Sequence, residues 1–229
     1  MTLFDEHKSE RRERIMAAAR TLVAIKGYDG LTMRDLARAA KVSVPTLYNL
    51  FGSKDAILIA ELQASASRIG ARLATGDSFF TRGMASFDAG MELIAEAPEF
   101  YRAVTQMAMT SPETAPMRQR AVDAYVAIMA GNLAAAKQVD QLAAWAEPEI
   151  VARHMYAQFM ACFLSWSVGE LDWNTFRAAA LSGICHILLG VVRGAFADDV
   201  LAFIHALHRD SSLHTALTEV RHVASRTQD

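Results

Sequence analysis

The residues whose types and spacing can do chemistry form one short run, Val42-Ser43-Val44-Pro45-Thr46-Leu47-Tyr48-Asn49-Leu50-Phe51, followed by Gly52-Ser53-Lys54-Asp55. The chemistry is recognition. Ser43 is placed to accept from an orphan N–H of a first helical turn. Pro45 falls where a missing N–H costs little. Gly52 and Ser53 stop this helix and open the next. A short, stiff, mostly uncharged helix of this kind fits the major groove of B-DNA. Val44 and Pro45 at its tip offer apolar contact to a thymine methyl, and Thr46 can donate or accept at a base or a phosphate. Asn49 can reach a phosphate or an adenine edge. Arg34, on the preceding helix, is the candidate for a guanine contact, with a solvated surface charge as its plain alternative. Thr32 can clamp a phosphate at the start of that helix. Lys54 and the free N–H groups behind it make another phosphate site. Arg11 and Arg12 add backbone or minor-groove contacts or are solvated charges. Leu47 and Phe51 are core.

Other chemistries find no footing. There is no Gly-rich phosphate loop, nucleophile elbow or paired-carboxylate arrangement, so nothing argues for catalysis or for a cofactor. His205 and His208, with Asp210 and His214 near, lack a supporting fourth ligand and read as a solvated terminal helix. Cys162 and Cys185 are too few for a disulfide framework and read as buried thiols, a redox pair or inter-subunit bridge being the alternative.

The elements that position the reader are helices. Apolar residues make up 52% and charged ones 21% of the 229 residues, a core-forming composition. Residues 1–60 carry 10 Lys/Arg against 7 Asp/Glu, and the remainder 13 against 18: a basic head on an acidic body. Residues 1–8 read as a frayed arm. From about Ser9 to Lys26, Ile15, Ala18, Ala19, Leu22 and Val23 recur on one helical face, and Gly27 ends the helix. Thr32 caps a second helix to about Ala40, with Asp35 in the capping-box position. Lys41-Val42 is the turn, and Val42 plugs the core. Ser53 caps a fourth helix to about Leu73. Gly and Pro punctuation then delimits helices near 78–95, 98–109, 114–138, 148–169, 173–197 and 199–208, with a weaker tail to about 224. The expected fold is all-α: a three-helix helix-turn-helix head over residues 1–52, joined to a larger helical domain over 53–229. The low-charge run Ala178 to Val192 is too short to span a bilayer. A soluble, cytoplasmic protein is expected.

Three helices joined by short turns make a helix-turn-helix bundle. Thr32-Met33-Arg34-Asp35-Leu36-Ala37, Val42-Ser43, Thr46-Leu47-Tyr48 and Phe51-Gly52-Ser53-Lys54-Asp55-Ala56 together resemble the head of the tetracycline-repressor (TetR) family. The resemblance covers about residues 10–60. It implies that the Tyr48 hydroxyl reaches a backbone phosphate. Lys41 departs from the family, where Gly is frequent in this turn.

One head reads few base pairs, so useful affinity needs two. Helices 148–169 and 173–197 combine small residues (Ala157, Ala161, Ala178, Ala179, Ser182, Gly183) with bulky ones (Phe159, Phe163, Leu181, Ile184, Leu188, Val192). Such helices need burial on more than one side. A four-helix bundle between two subunits provides it, as the family resemblance also implies; plain intrachain core is the alternative. The resemblance further implies an effector pocket in the middle helices, for which Phe87, Met91, Met107, Tyr125, Met129, Trp145, Phe159 and Phe163 are candidates. Met and aromatics at helical spacing also suit ordinary core. Gln106, Asn132, Gln158, His154 and Arg102 are possible orienting groups. The expectation is a homodimeric, ligand-responsive regulator, a repressor that binds a palindromic operator on double-stranded DNA. It would be released by a small apolar or aromatic effector of unknown identity. A constitutive or architectural DNA binder is the competing reading.

Overall fold

The computed structural model describes the backbone of residues 3–72, 77–110 and 115–209. Ten helices lie in these stretches: α1 Leu3–Lys26, α2 Met33–Ala39, α3 Val44–Phe51, α4 Lys54–Arg72, α5 Phe79–Glu96, α6 Pro98–Thr110, α7 Ala115–Gln138, α8 Pro148–Ser167, α9 Trp173–Leu189 and α10 Gly194–Arg209. Beyond an isolated bridge between Leu142 and Val192, no strand occurs among the described residues. None of their helices is long and apolar enough to cross a membrane. The expected tail helix, with Asp210 and His214, lies outside them. Residues 1–68 with 92–121 form one compact unit, and residues 69–91 with 122–229 form another.

In the first unit, Ile15, Ala19 and Val23 of α1, Leu36, Ala37 and Ala40 around α2, Leu47 of α3, and Ile57 and Leu58 of α4 are all buried. Ala18, Leu22, Val42 and Phe51, also expected inward, are half-buried. Helix α1 starts at Leu3, not near Ser9. Periodicity reports only the face that meets a core, and the part of α1 before Ser9 carries no apolar residue beyond Leu3 and Phe4 to make one legible. The His7 imidazole lies 3.6 Å from the Glu10 carboxylate on this early stretch. Arg20 pairs at 3.2 Å with the buried Glu61 and ties α1 to α4.

The turn between α2 and α3 is a Schellman motif. The Val42 N–H donates to Ala37 O at 3.0 Å and the Lys41 N–H to Arg38 O at 3.3 Å. The residue at the corner is left-handed, and it is Lys41, at φ +54°. For a residue with a Cβ this conformation costs about 1–2 kcal/mol. Two arginines of α1 close the frame. Arg14 Nε donates to Ala40 O at 3.0 Å, at the end of α2. Arg12 Nη1 donates to Leu50 O at 2.8 Å, near the end of α3, with its guanidinium 4.2 Å from the Phe51 ring centre. These are charge-assisted bonds to orphan helix carbonyls. Arg12, expected at the DNA backbone or in solvent, is thus a bracket inside the head. Arg14→Ala is expected to cost about 1–2 kcal/mol and to lower the melting temperature by several degrees in a thermal denaturation followed by circular dichroism. An unchanged melting curve would deny the bracket.

In the second unit, α8 and α9 pack along their length, and α10 folds back on α9. The helix expected over 173–197 ends at Leu189 instead. Gly190 caps it, and the next residues pair with the loop before α8: the Ala143 N–H donates to Val191 O at 2.7 Å and Arg193 N–H to Gln141 O at 2.9 Å. The left-handed Gly194 then opens α10, which runs through Asp198-Asp199 without a break. Asn132 of α7 donates to Phe79 O at 2.9 Å and accepts from Arg82 Nε at 3.2 Å, anchoring the start of α5.

Candidate functional site

The start of α3 is fixed by its cap. The Ser43 hydroxyl accepts from the Thr46 N–H at 3.2 Å and lies 2.7 Å from the Thr46 hydroxyl. Gly52, at φ +82°, ends the helix. Leu47 points inward with no exposure, and Tyr48 points outward with 53% of its surface exposed. Pro45 and Asn49 are also exposed, while Val44 and Thr46 are half-buried. The outward face is therefore Pro45, Tyr48 and Asn49, at the i, i+3, i+4 spacing of one helical side.

On α2, Thr32 caps as expected, accepting from the Asp35 N–H at 3.1 Å. The Asp35 carboxylate does not reach back to the Thr32 N–H. It accepts the Thr32 hydroxyl at 2.9 Å and meets Lys26 Nζ at 2.9 Å. The Lys26 bond, with the Thr32 hydroxyl, holds the Asp35 carboxyl below the usual carboxylate range. Arg34 is exposed and has no hydrogen bond or ion pair with another described residue. Lys54 is half-buried; its Nζ donates to Tyr28 O at 3.1 Å and sits 4.0 Å from the Tyr28 ring centre. Burial, with the hydrogen bond its hydroxyl makes to Asp55 at 2.7 Å, pushes the Tyr28 phenol up to about 12. Lys54 spends one of its three donors on this clamp and keeps two. Ser53 caps α4 through the Ala56 N–H at 3.1 Å. The turn before α2 requires glycine at Gly30, where a Cβ would stand 2.4 Å from the Lys26 carbonyl oxygen.

The candidates for an effector site divide. Phe87, Tyr125 and Phe159 are half-buried against the core of the second unit, to which Met129 belongs. Met91 and Phe163 are buried in the same unit. The Phe159 ring centre lies 6.4 Å from Phe87, 6.5 Å from Tyr125 and 5.7 Å from Phe163. The cluster continues through Tyr156, 5.4 Å from Tyr125, and Phe176, 5.8 Å from Phe159. Burial, and then Tyr156, push the Tyr125 phenol well above its ordinary value, so it stays protonated and a donor. Met107 is buried on α6 in the first unit. Trp145 does not join the cluster. Its segment is a loop that buries Leu142, Ala143 and Ala146 and leaves Trp145 70% exposed. Of the possible orienting groups, Asn132 is spent on the α5 anchor, and Gln158 Nε2 lies 3.5 Å from both Ala179 O and Cys162 Sγ. His154 and Gln106 are exposed, and Arg102 is half-buried on α6 in the first unit. Cys185 is buried, which pushes its thiol up to about 12.

The expected subunit-contact residues divide too. Ala178, Leu181, Ser182, Ile184, Leu188 and Val192 are buried within the chain. On α8, Ile150, His154, Ala157 and Ala161 are exposed at four- and three-residue steps, a mostly apolar stripe along the helix, and Val168, which caps it, is exposed seven residues further on.

Residues 15–60 match the family described as bacterial regulatory proteins, tetR family. Over 70 residues the chain is 40% identical to the HTH-type transcriptional repressor KstR of Mycobacterium tuberculosis, which covers 31% of this chain and 32% of that one. The chain thus spans about a third of the length of the curated relatives it matches. SmeT, the repressor of the Stenotrophomonas maltophilia multidrug efflux pump SmeDEF, has a solved structure that superposes with a TM-score of 0.64 at 20% identity, over 80% of this chain and 91% of that one. A TetR-family transcriptional regulator from Pectobacterium atrosepticum superposes with a TM-score of 0.63 at 23% identity, over 85% of this chain and 99% of that one. At such identities the structural likeness is one of fold.

Proposed function

We propose, from the membership of the tetR family of bacterial regulatory proteins that residues 15–60 carry, that the chain is a ligand-responsive transcriptional repressor. It binds a palindromic operator as a homodimer and leaves when a small apolar or aromatic effector binds. Residues 1–52 read DNA, and residues 53–229 bind the effector and dimerise.

The observation that carries this reading is the outward face of α3. Pro45, Tyr48 and Asn49 stand exposed on a capped helix whose opposite side, Leu47, is locked in the core. A recognition helix needs that combination of rigid placement and free side chains. Tyr48 and Lys54 hold phosphates and so position the head. Arg34, exposed and unengaged, reads a guanine from the neighbouring helix. The effector sits among Phe87, Tyr125, Phe159 and Phe163, where Met91 and Met129 adapt to its outline. Its binding shifts α4, which continues from the head, and so changes the spacing of two heads over two half-sites. By linkage, operator and effector then weaken each other's binding.

The test is selection of bound DNA from a random pool, repeated with candidate effectors. A palindromic motif is expected. With the selected operator, Tyr48→Ala and Lys54→Ala should weaken binding to all sequences about equally, while Arg34→Ala should cost about 1–3 kcal/mol and relax preference at one base. Failure to recover any palindrome would overturn the reading.

A further inference from the structure

We propose that Lys41, at the left-handed corner between α2 and α3, contacts a DNA backbone phosphate and is kept at that corner for its charge. The inference rests on the DNA-binding reading above. It starts from strain. A residue with a Cβ is held at φ +54° in a position that glycine fills without penalty. The hydrogen bonds of the corner do not require lysine. Both are made by backbone groups, the N–H groups of Lys41 and Val42. Nor does the end of α2 need its cation, since Arg38 lies in the last turn and Arg14 already bonds the Ala40 carbonyl. What lysine adds over glycine is the side chain alone. That side chain is exposed, and its ammonium has no hydrogen bond or ion pair with another described residue.

The place of the corner says what the ammonium meets. Lys41 stands two residues before Ser43, the cap of the helix whose outward face is Pro45, Tyr48 and Asn49. A helix seated in the major groove is flanked by both strands, which carry one negative charge per about 1.7 Å of axis. A flexible, compact cation beside such a helix neutralises a phosphate without reading sequence. Backbone strain held at a recognition element is a recurring sign of function.

The experiment compares wild type with Lys41→Gly, Lys41→Asn and Lys41→Arg. Binding to a labelled duplex of mixed sequence is measured across a salt series, and melting temperature alongside. Glycine and asparagine both accept the left-handed corner, so both variants should melt at or above the wild-type temperature. Both should bind about fivefold more weakly per head at low salt, with the slope of log affinity against log salt shallower by about 0.9 per head. Lys41→Arg should keep the wild-type slope. Wild-type affinity and slope in the glycine and asparagine variants would overturn the assignment and leave the functional reading standing. A wild-type protein that binds no duplex would overturn that reading itself.

Discussion

Replacing Phe176 by alanine is expected to cost about 3–5 kcal/mol of folding stability. The ring has no exposed surface. Its centre lies 5.7 Å from Phe163, 5.8 Å from Phe159, 5.5 Å from Trp166 and 5.7 Å from Trp173. Four rings held by one hub cannot all close the space it leaves, so a cavity penalty adds to the lost transfer free energy. For a chain of this size each kcal/mol lowers the melting temperature by about 2–4 °C. A fall of roughly 10 °C or more should therefore appear in calorimetry, with Trp166 and Trp173 reporting the change by fluorescence. Trp145→Ala is the control. With 70% of its surface exposed, it should move stability by no more than about 0.5 kcal/mol. A Phe176→Ala protein within 1 °C of wild type would show that the aromatic cluster is not a structural core.

Ala161→Glu is expected to convert the proposed homodimer into monomers. Ala157 and Ala161 are the small residues of the exposed α8 stripe, with Ile150 at one end and Val168 at the other. Small residues at successive turns let two helices approach closely, and in a two-fold interface each faces the same patch of its partner. A carboxylate there enters twice, once from each subunit, and is desolvated without a partner. A rise of about a thousandfold in the dimer dissociation constant corresponds to about 4 kcal/mol and is the expected result in sedimentation velocity. Operator affinity should fall with it, because one head alone covers a single half-site. The circular dichroism should not change, since Ala161 is exposed in the single chain. Ala144→Glu, in the exposed loop before α8, should leave the dimer intact. An Ala161→Glu protein that still sediments as a dimer would remove this stripe from the interface.

Local chemistry made the head legible. Ser43 and Thr32 as caps, Gly27 and Gly52 as stops, and the inward Ile15, Ala19 and Val23 each act within a few residues, where side-chain type decides backbone geometry. The break after Leu189 was hidden because it depends on a partner distant in sequence, the 141–143 loop, which takes up the polar backbone of Val191 and Arg193. The destinations of Arg12 and Arg14 were hidden for the same reason. An arginine on a charged helical face reads alike whether it ends in solvent, on a phosphate or on a carbonyl. Trp145 shows the limit of composition. A tryptophan suggests a pocket wall by its type, yet loop geometry turns it outward. The aromatic cluster was half-legible: Phe87, Tyr125, Phe159 and Phe163 were singled out, but Phe176, which joins them to two tryptophans, carries no local mark.

The brackets made by Arg12 and Arg14 have a consequence for how such a head diversifies. Both end on main-chain oxygens, of Leu50 and Ala40, and a carbonyl presents the same acceptor whatever side chain its residue bears. The scaffold is thus blind to the spelling of the segment it grips. Pro45 and Asn49 are interchangeable in this sense, and a new preference for DNA can arise by point changes on that face without re-engineering the frame. Between Ser43 and Gly52 the head works as a socket that accepts other inserts, provided they retain the inward Leu47 and the Phe51 ring that lies against Arg12.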